Sequence, residues 1–432
     1  MKSSTYNDFD FSEVRNRGKD FMKFEKLLKG GLAALMAVSM AACSGGNSGT
    51  TETTTTTDGG ETTTETTAGA GAFKLGGSGP LSGGAAVYGN AVKNAAELAV
   101  AEINAKGGAI QFELNMQDDE HDAEKAVNAY NALKDWGMQV SLCTVTSAPG
   151  AAVAPLYQED QTFAITPSGS SLAVIFADAD NQTGEYGNVF QMCFTDPNQG
   201  VASADYLSAH KDLGTKVAVI YKNDDNYSTG IYNKFVSEAK EKGLEIVYAG
   251  TFAGEDNDFN VQLTKAKEEG AEILFLPIYY QPASTILKQA NDMDYKPVVF
   301  GVDGMDGILS MEGFDTSLAE GVYLLTPFSA DASDDLTKNF VKNYQDKYGE
   351  IPNQFAADAY DAVYAIAQAL EAAGCTNDMS NADICSALCK QFTSMTFNGL
   401  TGTDVTWNPK GEVSKAPKAV IIENGVYVGV ED

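Results

Sequence analysis

From Phe73 onward the chain alternates between two rhythms. Short runs rich in Val, Ile and Phe, such as "FELNMQ", "TFAIT", "KVAVIY", "AEILFLPI" and "PVVFGV", alternate with longer stretches whose apolar residues return every three or four positions. The first rhythm marks strands and the second amphipathic helices. A first block reads strand "FKLGGSG", helix "AVYGNAVKNAAELAVAEINAKGG" closed by Gly107 and Gly108, strand "FELNMQ", helix "DAEKAVNAYNALKDWG", strand "MQVSLCTV", helix "APGAAVAPLYQED" and strand "TFAIT". After "VFQMCFTDPNQG" the pattern restarts and runs through a second block of similar rhythm to "PVVFGV". Two long helical stretches follow, then short strands around "VTWNPKG", "KAVIIENG" and "VYVGV". Alternation of this kind predicts parallel βαβ units, here in two α/β blocks.

In open α/β sheets, ligands sit beyond the carboxyl ends of strands. The unusual residues of this chain fall at those places. Ser147 follows one strand and precedes a helix with Pro149 in its first turn; it reads as an N-cap, or as part of an anion site at a helix start. Ser168, Gly169 and Ser170 follow the strand "TFAIT" and read as a turn or as further hydroxyl and amide donors. Tyr88, Tyr227 and the pair Tyr279–Tyr280 stand near strand ends, where they are core aromatics or pocket walls; which ring of the pair faces inward is open at this level. Asp303 ends the strand "VVFGV" between Gly301 and Gly304. A carboxylate there is costly to desolvate unless a cation and hydrogen bonds meet it. An anion site in one block and Asp303 in the other together suit a zwitterion, as an α-amino acid is.

The totals narrow the chemistry. The chain has 432 residues and a formal net charge of -30, which argues against nucleic-acid backbones as partners. Its two histidines, His121 and His210, leave no multi-histidine metal site and no histidine-based triad in a plausible context. "GPLSGGAAVYGN" lacks the spacing of a dinucleotide loop and the lysine of a phosphate loop. The acidic segments from Asp178 and Asp224 each place glycine at the seventh position, not the sixth, so neither fits a calcium loop. "QDDEHDAEK" around His121 reads as a solvated turn and helix cap. No GxSxG elbow occurs. No metal, cofactor or enzymatic activity is expected.

The first 72 residues are not expected to fold. Lys23, Lys26 and Lys29 precede an apolar run from Leu32 to Ala42, too short to span a bilayer and suited to an export signal. "MAAC" ends it at Cys43, which resembles a bacterial lipoprotein box with Cys43 lipidated. Residues 1–21 have no derivable role, and Met22 is the preferred start. Residues 43–72 are rich in Thr and Gly and would form a tether with a mean span of about 30 Å and a reach of about 95 Å. The remaining cysteines are Cys143, Cys193, Cys375, Cys385 and Cys389. Cys385 and Cys389 lie one helical turn apart and read as buried thiols, with a bridge from Cys375 to either left open.

At these residues the chain resembles the leucine/isoleucine/valine-binding protein family, the solute receptors of ABC importers. The resemblance covers roughly residues 73–432. It rests on "GPLSGGAAVYG", "QDDEHDAEKA", "TSAPGAAVAPLYQED", "ITPSGSS", "DPNQG", "NDDNYSTG", "FGVDGMDG" and "FNGLTGTDVTWNPKGE" taken together. It implies an α/β fold of two Rossmann-like lobes with parallel-sheet cores, joined by a three-segment hinge, with the ligand cleft between them. The implied crossings lie near Asp196, Pro327 and Gly399, giving lobe 1 as 73–195 and 327–398 and lobe 2 as 196–326 and 399–432. Ser147 and the Gly169–Ser170 loop would hold a ligand carboxylate, and Asp303 its α-ammonium. Tyr88, Tyr227 and the Tyr279–Tyr280 pair would line the cleft. His121 stands where some relatives carry a disulfide cysteine. The implied partners are an amino acid and ABC permease subunits, with the chain monomeric and held outside the cytoplasm by lipidated Cys43. A sensory module for amino acids or small amides would use the same cleft.

Overall fold

The computed structural model describes residues 71–430. The lipoprotein box, Cys43 and nearly all of the tether therefore lie outside the described residues. The first sheet is built from β1 (Phe73–Gly79), β2 (Phe112–Asp118), β3 (Val140–Thr144) and β4 (Phe163–Thr166), linked by α1 (Ala86–Ala105), α2 (Ala123–Trp136) and α3 (Ser147–Glu159). A small antiparallel pair, β5 (Phe176–Asp178) and β6 (Thr183–Glu185), precedes the edge strand β7 (Val189–Gln191). The order is β2-β1-β3-β4-β7, with every neighbour parallel.

The second unit opens with α4 (Asp196–Ala209). It continues through β8 (Lys216–Lys222), α5 (Asn226–Lys242), β9 (Glu245–Phe252), α6 (Asn260–Glu268), β10 (Ile273–Leu276), α7 (Tyr280–Asp292), β11 (Val298–Gly301) and β12 (Tyr323–Thr326). Helices α8 (Asp335–Tyr348), α9 (Gln354–Ala373) and α10 (Asn381–Phe392) then return to the first lobe, where α9 packs on α1 and α10 on β4. Last come β13 (Lys418–Glu423) and β14 (Val426–Gly429). The second sheet runs β14-β13-β12-β11-β10-β8-β9; its last two strands in sequence form an antiparallel edge on five parallel ones. Thus both sheets have the parallel cores expected of two doubly wound lobes.

Local chemistry explains these elements. Strands β3, β4 and β10 are buried at every position, as parallel strands covered on both faces must be. The side chains of Asp122, Asp225, Asp334 and Asn353 accept N–H groups in the first turns of α2, α5, α8 and α9. Helices α4 and α5 approach closely at Gly200, where a Cβ would stand 2.8 Å from both the Ile231 carbonyl and the Phe235 amide. The helix starting near Ser147 is capped one residue earlier than its sequence suggests. Thr146 is the flanking residue and Ser147 the first helical one, because Thr146 is still extended at φ -113° and ψ 155°.

One boundary moves. The stretch that begins at Gly399, assigned from sequence to lobe 2, packs on lobe 1 as far as Lys415. Trp407 donates to the Gln191 carbonyl of β7 at 2.8 Å and stacks edge-on against Phe392 of α10. The Gly411 carbonyl accepts the Gln191 amide at 2.9 Å. Asp361 of α9 accepts the amides of Leu400 and Thr401, each at 2.9 Å. Lys415 reaches Asp358 of α9 at 2.5 Å with both side chains buried, and it also contacts Thr401. Strands β13 and β14 then join the second sheet, so the chain leaves the first lobe between Lys415 and Lys418. Two buried acids on one helix hold the segment back, and their distant lysine partner is invisible to local patterning.

Candidate functional site

Both sheets change winding direction, between β1 and β3 in the first and between β8 and β10 in the second. Strand β1 lies between β2 and β3, and β8 lies between β9 and β10. Crevices open beyond the strand ends at such points. Tyr88 lies just beyond β1, Val145 and Thr146 beyond β3, and Ser168 beyond β4. From the other lobe come Tyr227 after β8, Tyr279 after β10, and Asp303 and Gly304 after β11. These residues, with Phe355 of α9, enclose one small cavity. A water-sized sphere has about 10 Å³ in which to place its centre there. No lysine, arginine or histidine lines it.

Asp303 opens a short 3-10 turn and is 3% exposed. The Tyr227 hydroxyl donates to its Oδ1 at 2.6 Å, and its own amide donates to Gln199 Oε1 at 3.2 Å. Burial pushes its carboxyl up to about 7, against the pull of its hydrogen bonds. Gly304 explains the lack of bulk beside the acid. A Cβ there would stand 2.5 Å from the Tyr227 hydroxyl and 3.0 Å from the Ile278 carbonyl. The Gly304 amide instead donates to Tyr227 Oη at 2.9 Å.

The lobes meet directly across this cavity. The Tyr88 hydroxyl donates to the Gly304 carbonyl and accepts the Tyr280 amide at 3.2 Å. Its ring packs edge-on against Tyr279, Tyr280 and Phe355 at centroid distances of 5.3, 5.0 and 4.8 Å. Accordingly the principal apolar core is continuous from Leu75 and Val92 through Tyr88 and Tyr280 to Leu274 and Ile286.

Of the sequence-predicted residues, Tyr88, Ser168, Tyr227, Tyr279 and Asp303 converge on the cavity, and Ser147, Gly169, Ser170 and Tyr280 do not line it. Tyr279 is the inward ring of its pair. Tyr280 begins α7 and packs behind Tyr88, its hydroxyl accepting the Val87 amide at 3.4 Å. Ser147 Oγ accepts the Ser171 amide at 3.2 Å, and Thr146 takes the place on the cavity that was expected for Ser147. The Gly169 amide is already committed to Thr166 Oγ1 at 2.7 Å, because Thr166 folds the loop back on itself. Ser170 Oγ is buried without a partner, as are both carboxylate oxygens of Asp196.

The segment around His121 is the turn and helix cap expected from sequence, but His121 itself is half-buried. Its Nδ1 lies 2.9 Å from Thr146 Oγ1 and its ring 5.5 Å from that of Tyr279. Burial lowers its imidazole below the ordinary range. A left-handed backbone at φ 62° turns the side chain inward while Asp122 caps α2. Sequence reasoning also missed Thr146, Val145 and Phe355. A threonine at a strand end was a findable signal, whereas Phe355 arrives from a helix more than fifty residues downstream of Asp303.

The comparisons agree with this architecture. The Leu/Ile/Val-binding protein homolog 3 of Brucella melitensis is 29% identical over 304 residues, 69% of this chain and 78% of that protein. The leucine-, isoleucine-, valine-, threonine- and alanine-binding protein of Pseudomonas aeruginosa is 25% identical over 309 residues, covering 71% and 79%. The crystal structure of the substrate-binding protein LivJ of Streptococcus pneumoniae, in complex with isoleucine, superposes with a TM-score of 0.73 at 28% identity, covering 83% of this chain and 98% of that one. The leucine-binding protein LivK of Thermotoga maritima gives 0.71 at 26% identity with the same coverage. With the periplasmic binding protein profile matching residues 72–421 and two type I lobes closing on one cavity, the chain belongs to the periplasmic binding protein family.

Proposed function

We propose that this chain is an extracytoplasmic solute-binding lipoprotein that captures an amino acid, branched-chain or similar, between its lobes and delivers it to an ABC importer. The observation that carries this reading is the position of Asp303: a carboxylate sealed at a strand end of one lobe, opposite the hydroxyls of the other. Burial raises its carboxyl to about 7, so an ammonium group would recover the lost electrostatic stabilisation. The ligand carboxylate would sit against Thr146, Ser168 and the first turn of α3, where helix amides favour negative charge. Tyr88, Tyr279 and Phe355 would receive the side chain. With no cationic side chain on the cavity, acidic amino acids would be excluded.

Entry requires the lobes to part, since the Tyr88–Gly304 hydrogen bond and the Tyr88–Tyr279 ring contact bridge the space a ligand would take. Hinge closure is the usual motion of periplasmic binding proteins. A ligand contacting both lobes shifts the population toward the closed form, which permease subunits would read. The isoleucine-bound and leucine-binding relatives support a branched-chain ligand. Export and anchoring at Cys43 rest on the sequence pattern of the N-terminal segment.

A thermal-shift panel of the twenty amino acids tests the reading. A ligand at 100 times its Kd adds about 2.7 kcal/mol of stability. Asp303→Ala should remove the response. Unchanged affinity in that variant, or no response to any amino acid, would sink the assignment.

A further inference from the structure

All five described cysteines are free. Cys143, Cys193 and Cys375 are buried singly. Cys385 and Cys389 are different: they lie one turn apart on α10, and their Sγ atoms are 4.0 Å from each other. Cys385 is buried, whereas Cys389 is half-buried and reachable from solvent. None of the residues around the solute cavity belongs to α10.

This spacing does not suit a disulfide. The sulfurs would have to close to about 2.05 Å, with Cβ atoms about 3.8 Å apart, which an intact helical turn does not allow. It does suit a shared ion. With metal–thiolate bonds of about 2.3 Å, sulfurs 4.0 Å apart subtend about 120° at the ion. Among the described residues no group of three or more His, Cys, Asp or Glu side chains is placed to hold a metal, so the four ligands zinc requires are not assembled. A soft d10 ion satisfied by two or three ligands remains, and thiolates select for softness.

We propose that Cys385 and Cys389 form a two-thiolate site for one soft monovalent cation of the copper(I) class, with a third position open to water or an external thiol. Binding forms two S–Cu bonds and releases both thiol protons to solvent. Copper stays in the +1 state, and no oxidant or reductant is consumed.

The full chain carrying Cys43→Ser is titrated with copper(I) under anaerobic conditions against a chromophoric copper(I) chelator. The chain should withdraw one equivalent, Cys375→Ser should match it, and Cys389→Ser should weaken it by at least about tenfold, as loss of a ligand requires. Equal withdrawal by the Cys385→Ser/Cys389→Ser double variant overturns the proposal. Because Cys385 is buried and its replacement can perturb folding, alkylation of the unsubstituted cysteines gives a second readout. Copper(I) should protect Cys389 from iodoacetamide in a peptide mass map, and full alkylation of Cys389 in its presence also overturns the site.

Discussion

The Tyr227 hydroxyl donates to Asp303 at 2.6 Å while accepting the Gly304 amide at 2.9 Å. One phenol thus orients the buried acid and satisfies the backbone of the turn that presents it. Tyr227→Phe would leave a carboxylate oxygen and an N–H unpartnered in a site that water barely enters. The expected loss is about 1–3 kcal/mol of folding stability, read from urea denaturation, with weakened amino-acid binding by calorimetry. A variant as stable as the parent would show that the pair contributes nothing net.

Asp303 should also write a pH signature. Its carboxyl stands at about 7 in the folded chain, against an ordinary 3.8. Between those values the folded state binds more protons than the unfolded state, so stability falls as pH rises through this window and levels off above it. Asp119 and Asp358, each raised to about 6 by burial, slope the same way, so the test is the difference between the parent and Asp303→Asn. The parent should lose stability relative to the variant from about pH 4 to pH 7. Ligand affinity should move oppositely, rising with pH as the acid ionises. Parallel stability curves would contradict the assigned shift.

Gly304→Ala places a methyl 2.5 Å from Tyr227 Oη and 2.9 Å from the Tyr279 ring. Overpacking of this kind costs about 1–3 kcal/mol. Gly108→Ala, where nothing lies within 4 Å of the added carbon, is the control and should be neutral or slightly stabilising. Melting temperatures of the two variants separate the effects, and equal values would remove the steric argument.

Lys415→Met would strand Asp358, now a buried carboxylate beside Asp361. Removing one partner of a buried pair costs about 3–5 kcal/mol. Adding Asp358→Asn should recover part of the loss, because the orphaned charge goes with it. Chemical denaturation of the single and double variants checks this; no recovery would mean that packing of the lysine stem dominates.

Tyr88→Phe removes the hydroxyl that joins Gly304 and Tyr280 to the first lobe. The ligand-free chain should then populate a more open form. Small-angle scattering should show a larger radius of gyration than the parent's, falling back when a bound amino acid is added. Identical scattering would mean that the aromatic contacts alone keep the lobes together.

The two-block α/β architecture was legible because strand and helix periodicities are local and this chain keeps them nearly pure. The site divided by distance along the chain. Asp303 stood out because an acid among glycines at a strand end has few structural uses. Thr146 lost its place to Ser147 because a helix start is uncertain by one residue, which at this point exchanges a cavity wall for a backbone support. The turn and cap around His121 were legible, but its half-burial was not, because its left-handed backbone faces it inward while its neighbours are solvated.

Hydrophobic period and turn chemistry thus settle the elements, their order and the strand ends that carry the chemistry, since each depends only on neighbours within a helical turn or a strand. Tertiary packing decided the remainder: that Tyr279 and not Tyr280 meets the cavity, that Phe355 closes it, and that Lys415 keeps the segment through Val413 on the first lobe. Those outcomes depend on burial and on partners tens to hundreds of residues away, where desolvation makes a single pairing worth keeping and no local pattern records it.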